Sequence, residues 1–196
     1  WRKQNIFREY KANRKSIPSY FNAGKAFRYL YEIILPQLEL EEFFGIKSIL
    51  VESAEADDII MTLVRRMKHS NNCIIATDHD MIQVLDKARM FDLQGKEINI
   101  GYISNKCIGS EDMTSETYLK TKLLVGDKSD NIPQVFERVG WKKAWNLMSD
   151  VDTLKEKLKD QQAFDRLQLN SKLIDCKYIP SGIQKDIIKS YIETKS

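Results

Sequence analysis

Three short segments of the sequence concentrate acidic side chains at spacings that suit metal-ion chemistry. They read Glu-Ala-Asp-Asp at 55–58, Thr-Asp-His-Asp at 77–80 and Gly-Asp-Lys-Ser-Asp-Asn at 126–131. Carboxylate oxygens are the ligands that Mg²⁺ and Mn²⁺ prefer, whereas zinc and copper favour nitrogen and sulfur. Two such ions about 4 Å apart can activate a water molecule and stabilise the leaving oxygen of a phosphodiester. The sequence therefore predicts a site for a pair of Mg²⁺ ions, with Mn²⁺ as a substitute. Its predicted ligands are Glu55, Asp57, Asp58, Asp78, Asp80, Asp127 and Asp130.

The spacing within the acidic segments indicates how their side chains are directed. Asp78 and Asp80 are two residues apart, so an extended backbone directs both to the same side. Asp127 and Asp130 are three apart, so one helical turn has the same effect. The first two segments each follow a predicted strand, and strand ends in an open α/β sheet face a common crevice. Carboxylates gathered there repel one another, and without cations several would have raised pKa values.

Each acidic segment also has a plain structural explanation. An acid at Asp57 or Asp58 stabilises a helix N-terminus by about 0.3–1 kcal/mol. Asp78 and Asp80 can be turn residues after a strand, and residues 127–131 can form a surface turn. One segment alone is therefore weak support for a site, and the occurrence of all three in this order is what favours catalysis.

A basic segment at residues 1–15 contrasts with these acids. It contains a single acid, Glu9, and its cations are Arg2, Lys3, Arg8, Lys11, Arg14 and Lys15. We expect it to contact DNA, although a solvated basic helix would have the same composition. On a helix, Lys11 and Arg14 would face the same way. Tyr10 beside them could stack on an unpaired base at a single-stranded 5′ end, or it could be a packed surface aromatic.

Hydrophobic periodicity predicts an α/β layer followed by helices only. Strands are predicted at 48–52, 72–78 and 89–94, a hairpin partner at 97–103, and helices at 17–44 with a break at Pro36, 57–69 and 81–86. From Thr114 onward the pattern is helical, and Pro180 marks the start of the last helix. The fold class is therefore α/β, with a parallel-sheet core at residues 1–113 and a helical domain at 114–196.

The composition indicates an ordinary soluble globular chain. Its 196 residues are 42 % hydrophobic and 30 % charged, with a net charge of +3. No apolar run approaches the ~18 residues of a membrane span, and the opening residues are too polar for a signal peptide. Cys73, Cys107 and Cys176 match no zinc pattern. We expect a cytoplasmic protein whose thiols are reduced. If a phage encodes the chain, this would be the cytoplasm of the bacterial host.

The acidic segments, in their strand and helix contexts, resemble the motifs of the flap endonuclease (5′-3′ exonuclease) family. The matching stretches are EADD at 55–58, TDHD at 77–80 and GDKSDNIP at 126–133, and WRKQNIFREYKANR at 1–14 is similar to the base of that family's helical arch. The resemblance implies a PIN-like nuclease core, with a helix–three-turn–helix motif from Asp127 onward that holds duplex DNA by its backbone. It implies a first metal site at Glu55, Asp57, Asp58 and Asp78, a second at Asp80, Asp127 and Asp130, and catalytic contacts of Tyr10, Lys11 and Arg14 with the scissile phosphate.

The same resemblance implies a substrate and a setting. We expect hydrolysis of DNA and of RNA–DNA hybrids that carry a free 5′ end or a flap, including removal of RNA primers during replication. A single-strand binding protein and a sliding clamp are partners that such an activity implies, although the sequence contains no motif for either. A monomer is expected. The preference between exonuclease and flap cleavage, and between RNA and DNA, is left open.

The chain departs from the family pattern in two places. The family's aspartates near its N-terminus and before the tryptophan–arginine pair have no counterpart, since the sequence opens at Trp1. We therefore expect an N-terminal portion to be absent and this piece alone to be weakly active or inactive. Of the glycine-rich hairpin that follows GDxSDNIP in many relatives, Gly140 remains, which weakens the case for a monovalent-ion site. Lys128, Lys142 and Lys143 are expected to contact duplex phosphates as point charges.

Two other functions fit parts of the sequence. A PIN-type ribonuclease has a similar acid site, but such enzymes are typically shorter and lack GDKSDNIP. A non-catalytic nucleic-acid-binding fragment would tolerate neutral residues at the acid positions, and every one of them is acidic. His69 and His79 have no partner pattern and are interpreted as structural or solvent-facing. Trp141 and Trp145, four residues apart, are interpreted as helix packing.

Overall fold

The computed structural model describes residues 1–14, 22–35, 45–67 and 71–193, which form a small parallel sheet surrounded by helices. Within these ranges the strands are β1 (Asn72–Ile75) and β2 (Ala88–Phe91). The α-helices are α1 (Ala23–Tyr29), α2 (Ala56–Arg66), α3 (Ile100–Ile108), α4 (Ser115–Val125), α5 (Trp141–Ser149), α6 (Val151–Lys157), α7 (Gln161–Ile174) and α8 (Ser181–Glu193). Turns of π-helix occur at Arg2–Ile6 and Leu30–Ile34, and 3₁₀ segments at His79–Val84 and Cys176–Tyr178.

The sheet pairs β1 with β2 in parallel, as the predicted α/β order requires. The register places Ile74 opposite Met90, and both side chains are buried. Parallel neighbours need a crossover connection, which residues 76–87 and their 3₁₀ helix supply. The second acidic segment opens this crossover, so its position is fixed by the carboxyl end of β1.

Helix α2 carries the first acidic segment at its N-terminus. The carboxylate of Asp58 accepts the backbone N–H of Glu55 at 3.0 Å, which is one half of a capping box. Arg65 and Arg66 lie in the last turn, where cations complement the helix dipole. The cap therefore determines where the helix begins and how the acids at 55–58 are presented.

The main apolar core is built by both halves of the chain. Its buried side chains are Met61, Val64, Ile74, Met81, Val84, Met90, Cys176 and Ile179. The last two come from the helical C-terminal part, and α8 also packs against α2. The sheet layer is thus covered by C-terminal residues, and the division into domains at 113/114 stays a proposal.

The helical part has its own clusters around α4, α5 and α7. Leu124, Val139 and Ala144 are buried in one of them. In another, Tyr118 stacks on Trp141 with ring centroids 5.0 Å apart, and Trp145 packs against the same cluster. The packing role expected for both tryptophans is therefore confirmed. No helix in the described ranges has the length and apolar character that a membrane span requires.

The strand predicted at residues 48–52 is wrong. A strand needs a hydrogen-bonded neighbour, and the sheet of the described residues consists of β1 and β2. The apolar run instead leads into a turn in which Ala54 N donates to Val51 O at 3.2 Å. Val51 is buried, whereas Leu50 is 71 % exposed. An apolar run of this length indicates burial on one side but not strand pairing.

The predicted hairpin is correct at its turn and wrong beyond it. Phe91 and Glu97 form an antiparallel bridge across the turn at Gly95. The chain then enters α3, because the side chain of Asn99 accepts the N–H of Tyr102 at 2.8 Å and caps a helix there. Within the helix predicted for 17–44, residues 23–34 are helical, and Pro36 lies outside the described residues.

Candidate active site

Asp57 connects the first two acidic segments. It lies in the first turn of α2 and is partly buried. Burial, and after it the negative charges of Asp78, Asp80 and Glu55, raises the pKa of Asp57 to about 6. The positive charge of Lys11 acts in the opposite direction. The fold therefore brings the two acidic segments close enough for their charges to repel, as the sequence predicted.

Asp78 and Asp80 reach this position by a different local geometry from the one predicted. Asp78 Oδ1 accepts the N–H of Asp80 at 2.9 Å and caps the 3₁₀ helix, so this pair does not lie on an extended strand. Asp78 is exposed and Asp80 is partly buried. Burial raises the pKa of Asp80, while the ammonium of Lys122 opposes that rise.

Lys122 is a functional-site residue that the sequence analysis missed. Its side chain is buried, and its ammonium contacts Asp80 Oδ1 and lies 3.2 Å from Asp127 Oδ2. Burial lowers the pKa of Lys122, but the negative charges of Asp80 and Asp127 outweigh this effect and the pKa is raised. This lysine links the second acidic segment to the third. The available signal was a lysine in an otherwise apolar final turn of α4, directly before the third segment.

The third acidic segment is a tight loop, not the helical turn expected for Asp127 and Asp130. Asp127 Oδ1 accepts the N–H and the hydroxyl of Ser129 at 2.8 and 2.6 Å. Burial alone raises the pKa of Asp127, but these bonds and the charge of Lys122 hold it below its usual value. Gly126 has φ +71°, and a Cβ there would lie 2.4 Å from the carbonyl oxygen of Pro133. The loop therefore requires glycine at this position.

The segment at residues 9–14 docks on that loop. Lys11 N donates to Asp130 O at 2.9 Å, and Asn131 Nδ2 donates to Glu9 O at 2.9 Å. Asn13 Nδ2 donates to Lys128 O at 2.7 Å. Lys11 has φ +58°, so residues 9–14 form turns and the helix assumed for Lys11 and Arg14 is wrong.

Two cations of the docked segment lie between the first and third acidic segments. The ammonium of Lys11 bonds to Glu55 Oε1 and lies 3.9 Å from Asp130 Oδ2. Arg14 Nη2 donates to Asp130 Oδ1 at 2.5 Å. This hydrogen bond, opposed by slight desolvation, raises the pKa of Arg14. The fold therefore brings these predicted cations to the predicted carboxylates.

Tyr10 cannot stack on a base in this structure. It is 5 % exposed and packs in an apolar cluster with Ile132 and Leu173. Its hydroxyl lies 3.0 Å from Glu55 Oε2 and 3.2 Å from Asp130 Oδ2. Burial and the charge of Glu55 raise the pKa of Tyr10, so the phenol stays protonated and donates a hydrogen bond to one of these carboxylates. Tyr10 therefore connects the first acidic segment, through Glu55, to the third, through Asp130.

Arg2 and Asp58 form a buried pair. Arg2 Nη1 and Nη2 donate to the two carboxylate oxygens of Asp58 at 3.1 and 2.8 Å, and Arg2 Nε donates to Leu173 O at 2.8 Å. Trp1 Nε1 donates to Asp58 Oδ2 at 3.0 Å. In this structure Arg2 is thereby engaged within the protein and Asp58 fixes the start of α2, while the DNA contact predicted for Arg2 and the metal contact predicted for Asp58 stay predictions.

The donor chemistry of the remaining acids fits a hard divalent cation. All are carboxylates. Burial, and after it the negative charges of Asp78, Asp80 and Glu55, raises the pKa of Asp57 despite the opposing charge of Lys11. In the described part of the chain, however, no three acids, histidines or cysteines are grouped closely enough to hold a metal ion together. In this arrangement Lys11, Arg14 and Lys122 supply the positive charge between the carboxylates.

The other basic residues predicted to bind DNA lie on the surface or outside the described residues. Lys15 belongs to the latter group. The exposed ones are Lys3, Arg8, Lys128, Lys142 and Lys143. His69, interpreted above as structural or solvent-facing, also lies outside the described residues. Gly140 is the N-cap residue of α5, so this helix has no side-chain cap. The ammonium of Lys142 lies beside Gly109, the C-cap of α3. His79 is partly buried, and its pKa is lowered by burial and by Lys106 and Lys122.

Comparison with known proteins places these features in a family. A model described as "5′-3′ exonuclease, N-terminal resolvase-like domain" matches residues 1–117. A 5′-3′ exonuclease of Buchnera aphidicola subsp. Schizaphis graminum is 31 % identical over 162 residues, which cover 78 % of this chain and 50 % of that protein. The DNA polymerase I of Caldicellulosiruptor bescii is 32 % identical over 163 residues, covering 79 % of this chain and 18 % of the polymerase. The chain thus spans half or less of the length of these relatives.

Two solved structures share the fold at low sequence identity. The flap endonuclease of bacteriophage T5, in a complex with DNA and metal ions, superposes with a TM-score of 0.65 at 20 % identity, covering 95 % of this chain and 77 % of that one. The same protein crystallised with metal ions gives 0.64 at 19 % identity, with the same coverage. These likenesses concern the fold alone. With the family match, they confirm the predicted fold class, a PIN-like α/β nuclease fold with a small parallel sheet and many helices.

Proposed function

The chain belongs to the 5′-3′ exonuclease, N-terminal resolvase-like domain family, and on that premise we propose that it forms the core of a structure-specific 5′ nuclease. The reaction would be hydrolysis of phosphodiester bonds with a pair of divalent metal ions. The observation that carries the proposal is the convergence of the three acidic segments. The charges of Asp78 and Asp80 act on Asp57, and the ammonium of Lys122 lies between Asp80 and Asp127.

Six carboxylates are proposed to hold the ions: Glu55, Asp57 and Asp78 for one, and Asp80, Asp127 and Asp130 for the other. Because no three of them are grouped closely enough in the arrangement of the described residues, ion binding would have to draw each set together. Asp58 is left out because its side chain is fully buried and both of its oxygens are engaged with Arg2. The T5 flap endonuclease was crystallised with DNA and metal ions, which supports this use of the shared fold. When bound, Mg²⁺ or Mn²⁺ would supply an activated water and stabilise the leaving oxygen.

Lys11 and Arg14 are proposed to bind the phosphate next to the scissile bond. Both cations already lie at the acidic cluster, held by Glu55 and Asp130. Once divalent ions neutralise those carboxylates, the two side chains are released to accept a phosphate as their counter-ion. Arg14 is 57 % exposed and so is accessible to a substrate from solvent. The buried hydroxyl of Tyr10 would hold the carboxylates of Glu55 and Asp130 in place by hydrogen bonding.

The duplex beyond the cut is proposed to bind the helical part, residues 114–196, through its phosphates. The exposed cations Lys128, Lys142 and Lys143 and the uncapped N-terminus of α5 support this, since helix N-termini and lysines bind phosphate oxygens. Backbone contacts carry no sequence information, so binding would be independent of base sequence and would fall steeply with salt. This assigns the helix–three-turn–helix role to the region that follows Asp127.

The duplex-binding proposal is tested by the salt dependence of affinity. Each lost phosphate contact reduces the log–log salt slope by about 0.9, so Lys142→Ala with Lys143→Ala should flatten it by up to about 2. The cleavage position should not change. Lys155→Ala, an exposed lysine of α6, serves as the control. An unchanged slope in the double variant would place the duplex elsewhere.

The proposed substrates are DNA and RNA–DNA hybrids with a free 5′ end or flap, cut during replication. The relatives include DNA polymerase I of several bacteria, which supports the replication role. We also propose RNA primers as one substrate, since residues 173–191 resemble part of the ribonuclease H of T-even bacteriophages. We further propose that the protein acts as a monomer in a bacterial cytoplasm, with single-strand binding protein and sliding clamp as partners.

The experiment that tests this function uses the full-length protein with 5′-labelled flap, nicked-duplex and RNA–DNA hybrid substrates. With Mg²⁺ or Mn²⁺, the products should be short fragments released from the 5′ end, and excess EDTA should abolish the reaction. A substrate with a blocked 5′ end or a closed circle is the matched control and should resist cutting. Equal activity in EDTA would contradict the metal-ion mechanism.

A further inference from the structure

A small cavity lies toward the C-terminal end of α2, away from the acidic segment at its start. Its volume is about 190 Å³, several times the ~30 Å³ share of one liquid water. Arg65, on its wall, is eight residues beyond Asp57, a separation of about 12 Å along the helix axis. The polar residues that line it are Thr62, Arg65, Arg66, Cys176, Lys177 and Gln184.

The charge of this cavity is one-sided. Arg65, Arg66 and Lys177 contribute three cations, and none of the lining residues, all of which the structure describes, is acidic. The nearby carboxylate of Asp175 is engaged with the backbone, accepting the N–H of Lys177 at 2.9 Å. Concave surfaces of one sign concentrate counter-ions of the other, so the cavity favours an anion.

The two guanidinium groups are held in place by neutral partners. Arg66 Nε and Nη2 donate to Gln184 Oε1 at 3.1 and 2.9 Å. Gln184 Nε2 in turn donates to Ile179 O at 2.7 Å, so the amide is fixed from both sides. Arg65 Nη1 contacts Cys176 Sγ at 3.5 Å, and sulfur is a weak acceptor. Neither guanidinium has a carboxylate at ion-pair distance among the described residues, and each retains donors for a ligand.

A buried hydroxyl on the cavity wall also lacks a partner. Thr62 is 2 % exposed, and its Oγ1 makes no hydrogen bond to any described residue. A helical threonine usually bonds to the carbonyl four residues earlier, and leaving a buried donor without a partner is destabilising. The dipole of the helix C-terminus explains the presence of Arg65 and Arg66, but it does not explain this hydroxyl. Because this oxygen has almost no accessible surface, an oxygen of a bound ligand would satisfy it once the Thr62 side chain rotates toward the cavity.

We propose that this cavity is a binding site for a phosphate-class oxyanion, separate from the acidic cluster. The tetrahedral anion would accept hydrogen bonds from the Thr62 hydroxyl and from the free donors of Arg65 and Arg66, with Lys177 as a further counter-charge. Two sources supply this chemistry, a free phosphate and a phosphodiester of a nucleic acid strand.

The test measures binding of inorganic phosphate to the full-length protein by calorimetry in EDTA. Arg66→Gln should weaken binding about tenfold or more, because charge-assisted hydrogen bonds are lost. Thr62→Val should weaken it about fivefold and, without phosphate, should leave the thermal midpoint unchanged or higher, since an orphan hydroxyl is removed. Thr62→Ser keeps the hydroxyl and should bind like wild type. Lys155→Gln, which removes a charge elsewhere, is the control.

A second titration, of a flap substrate in EDTA, identifies the source of the anion. If Arg66→Gln and Thr62→Val weaken the flap substrate, with or without an effect on inorganic phosphate, the ligand is a strand phosphodiester. If they weaken inorganic phosphate alone, it is a free anion. Variants that bind both ligands like wild type, or a wild type that binds neither, would overturn the proposal. Because no cleavage is measured, the result is independent of the metal-ion mechanism.

Discussion

Replacing Asp57 with asparagine should stabilise the metal-free protein at alkaline pH. Burial, together with the charges of Asp78, Asp80 and Glu55, raises the pKa of Asp57 from 3.8 to about 6. An acid whose pKa rises on folding binds its proton more tightly in the folded state. The destabilisation of the fold by ionised Asp57 is therefore absent at low pH and develops as the pH rises from 3.8 through about 6. At pH ~8 the ionised carboxylate destabilises the fold, and the neutral amide of Asp57→Asn removes that effect.

The expected size of the effect follows from the two pKa values. At ~1.4 kcal/mol per pKa unit, the difference between the ordinary and the raised value corresponds to about 3 kcal/mol. Because Asp57 is only partly buried, solvent screening reduces this to about 1–2 kcal/mol. The gain should be present at pH ~8 and nearly absent at pH ~4, where the folded wild type already carries the proton.

Urea unfolding of the full-length protein in EDTA measures this gain at both pH values. Asp112→Asn, an exposed aspartate in the loop before α4, is the control and should change the free energy of unfolding by less than about 0.5 kcal/mol. If Asp57→Asn were less stable than wild type at pH ~8, or if its effect did not depend on pH, Asp57 would not be buried among other carboxylates as described.

Three further substitutions test the supports of the site. Arg2→Ala leaves the carboxylate of Asp58 buried without the guanidinium that pairs with it, and should lower the free energy of unfolding by about 3–5 kcal/mol. Arg89→Ala, at an exposed arginine, is the control and should cost far less; similar losses for both variants in urea melts would contradict the buried pair. Lys122→Met should destabilise the metal-free protein by about 2–4 kcal/mol, and Mg²⁺ should restore part of this loss in thermal melts, whereas no recovery would argue against an ion near these acids. Gly126→Ala should lower the midpoint of urea unfolding, since its Cβ meets a backbone oxygen at 2.4 Å, and Gly182→Ala, with open space at its Cβ, should not.

The sequence predicted the elements whose signals are local. The apolar face of α2 and the β-branched residues of β1 were enough to locate both elements to within a few residues. It failed at residues 48–52, because an apolar run reports burial but cannot report whether a neighbouring strand is present. It also missed the start of α3, because Asn99 as a helix cap looks like an ordinary turn residue within a hairpin.

The sequence predicted the acidic residues of the site but did not predict which cations would pair with them. Spacing and strand context placed Asp57, Asp78 and Asp80 near one another, and the charges in the structure agree. Nothing local indicated that Arg2 would be buried against Asp58, since that pair joins residues 56 positions apart. Lys122 was missed for the same reason, because a lysine on a helix is usually solvated and only the tertiary fold encloses it.

The central claim is that the acidic cluster performs hydrolysis while other parts of the chain bind the substrate. The most direct measurement compares cleavage and binding of a 5′-flap substrate by full-length Asp78→Asn and wild-type protein in Mg²⁺, with Asp112→Asn as the control. We expect Asp78→Asn to lose cleavage while its affinity for the flap stays equal or increases slightly, because a negative charge is removed from a site that meets a polyanion. Full cleavage by Asp78→Asn would contradict the account.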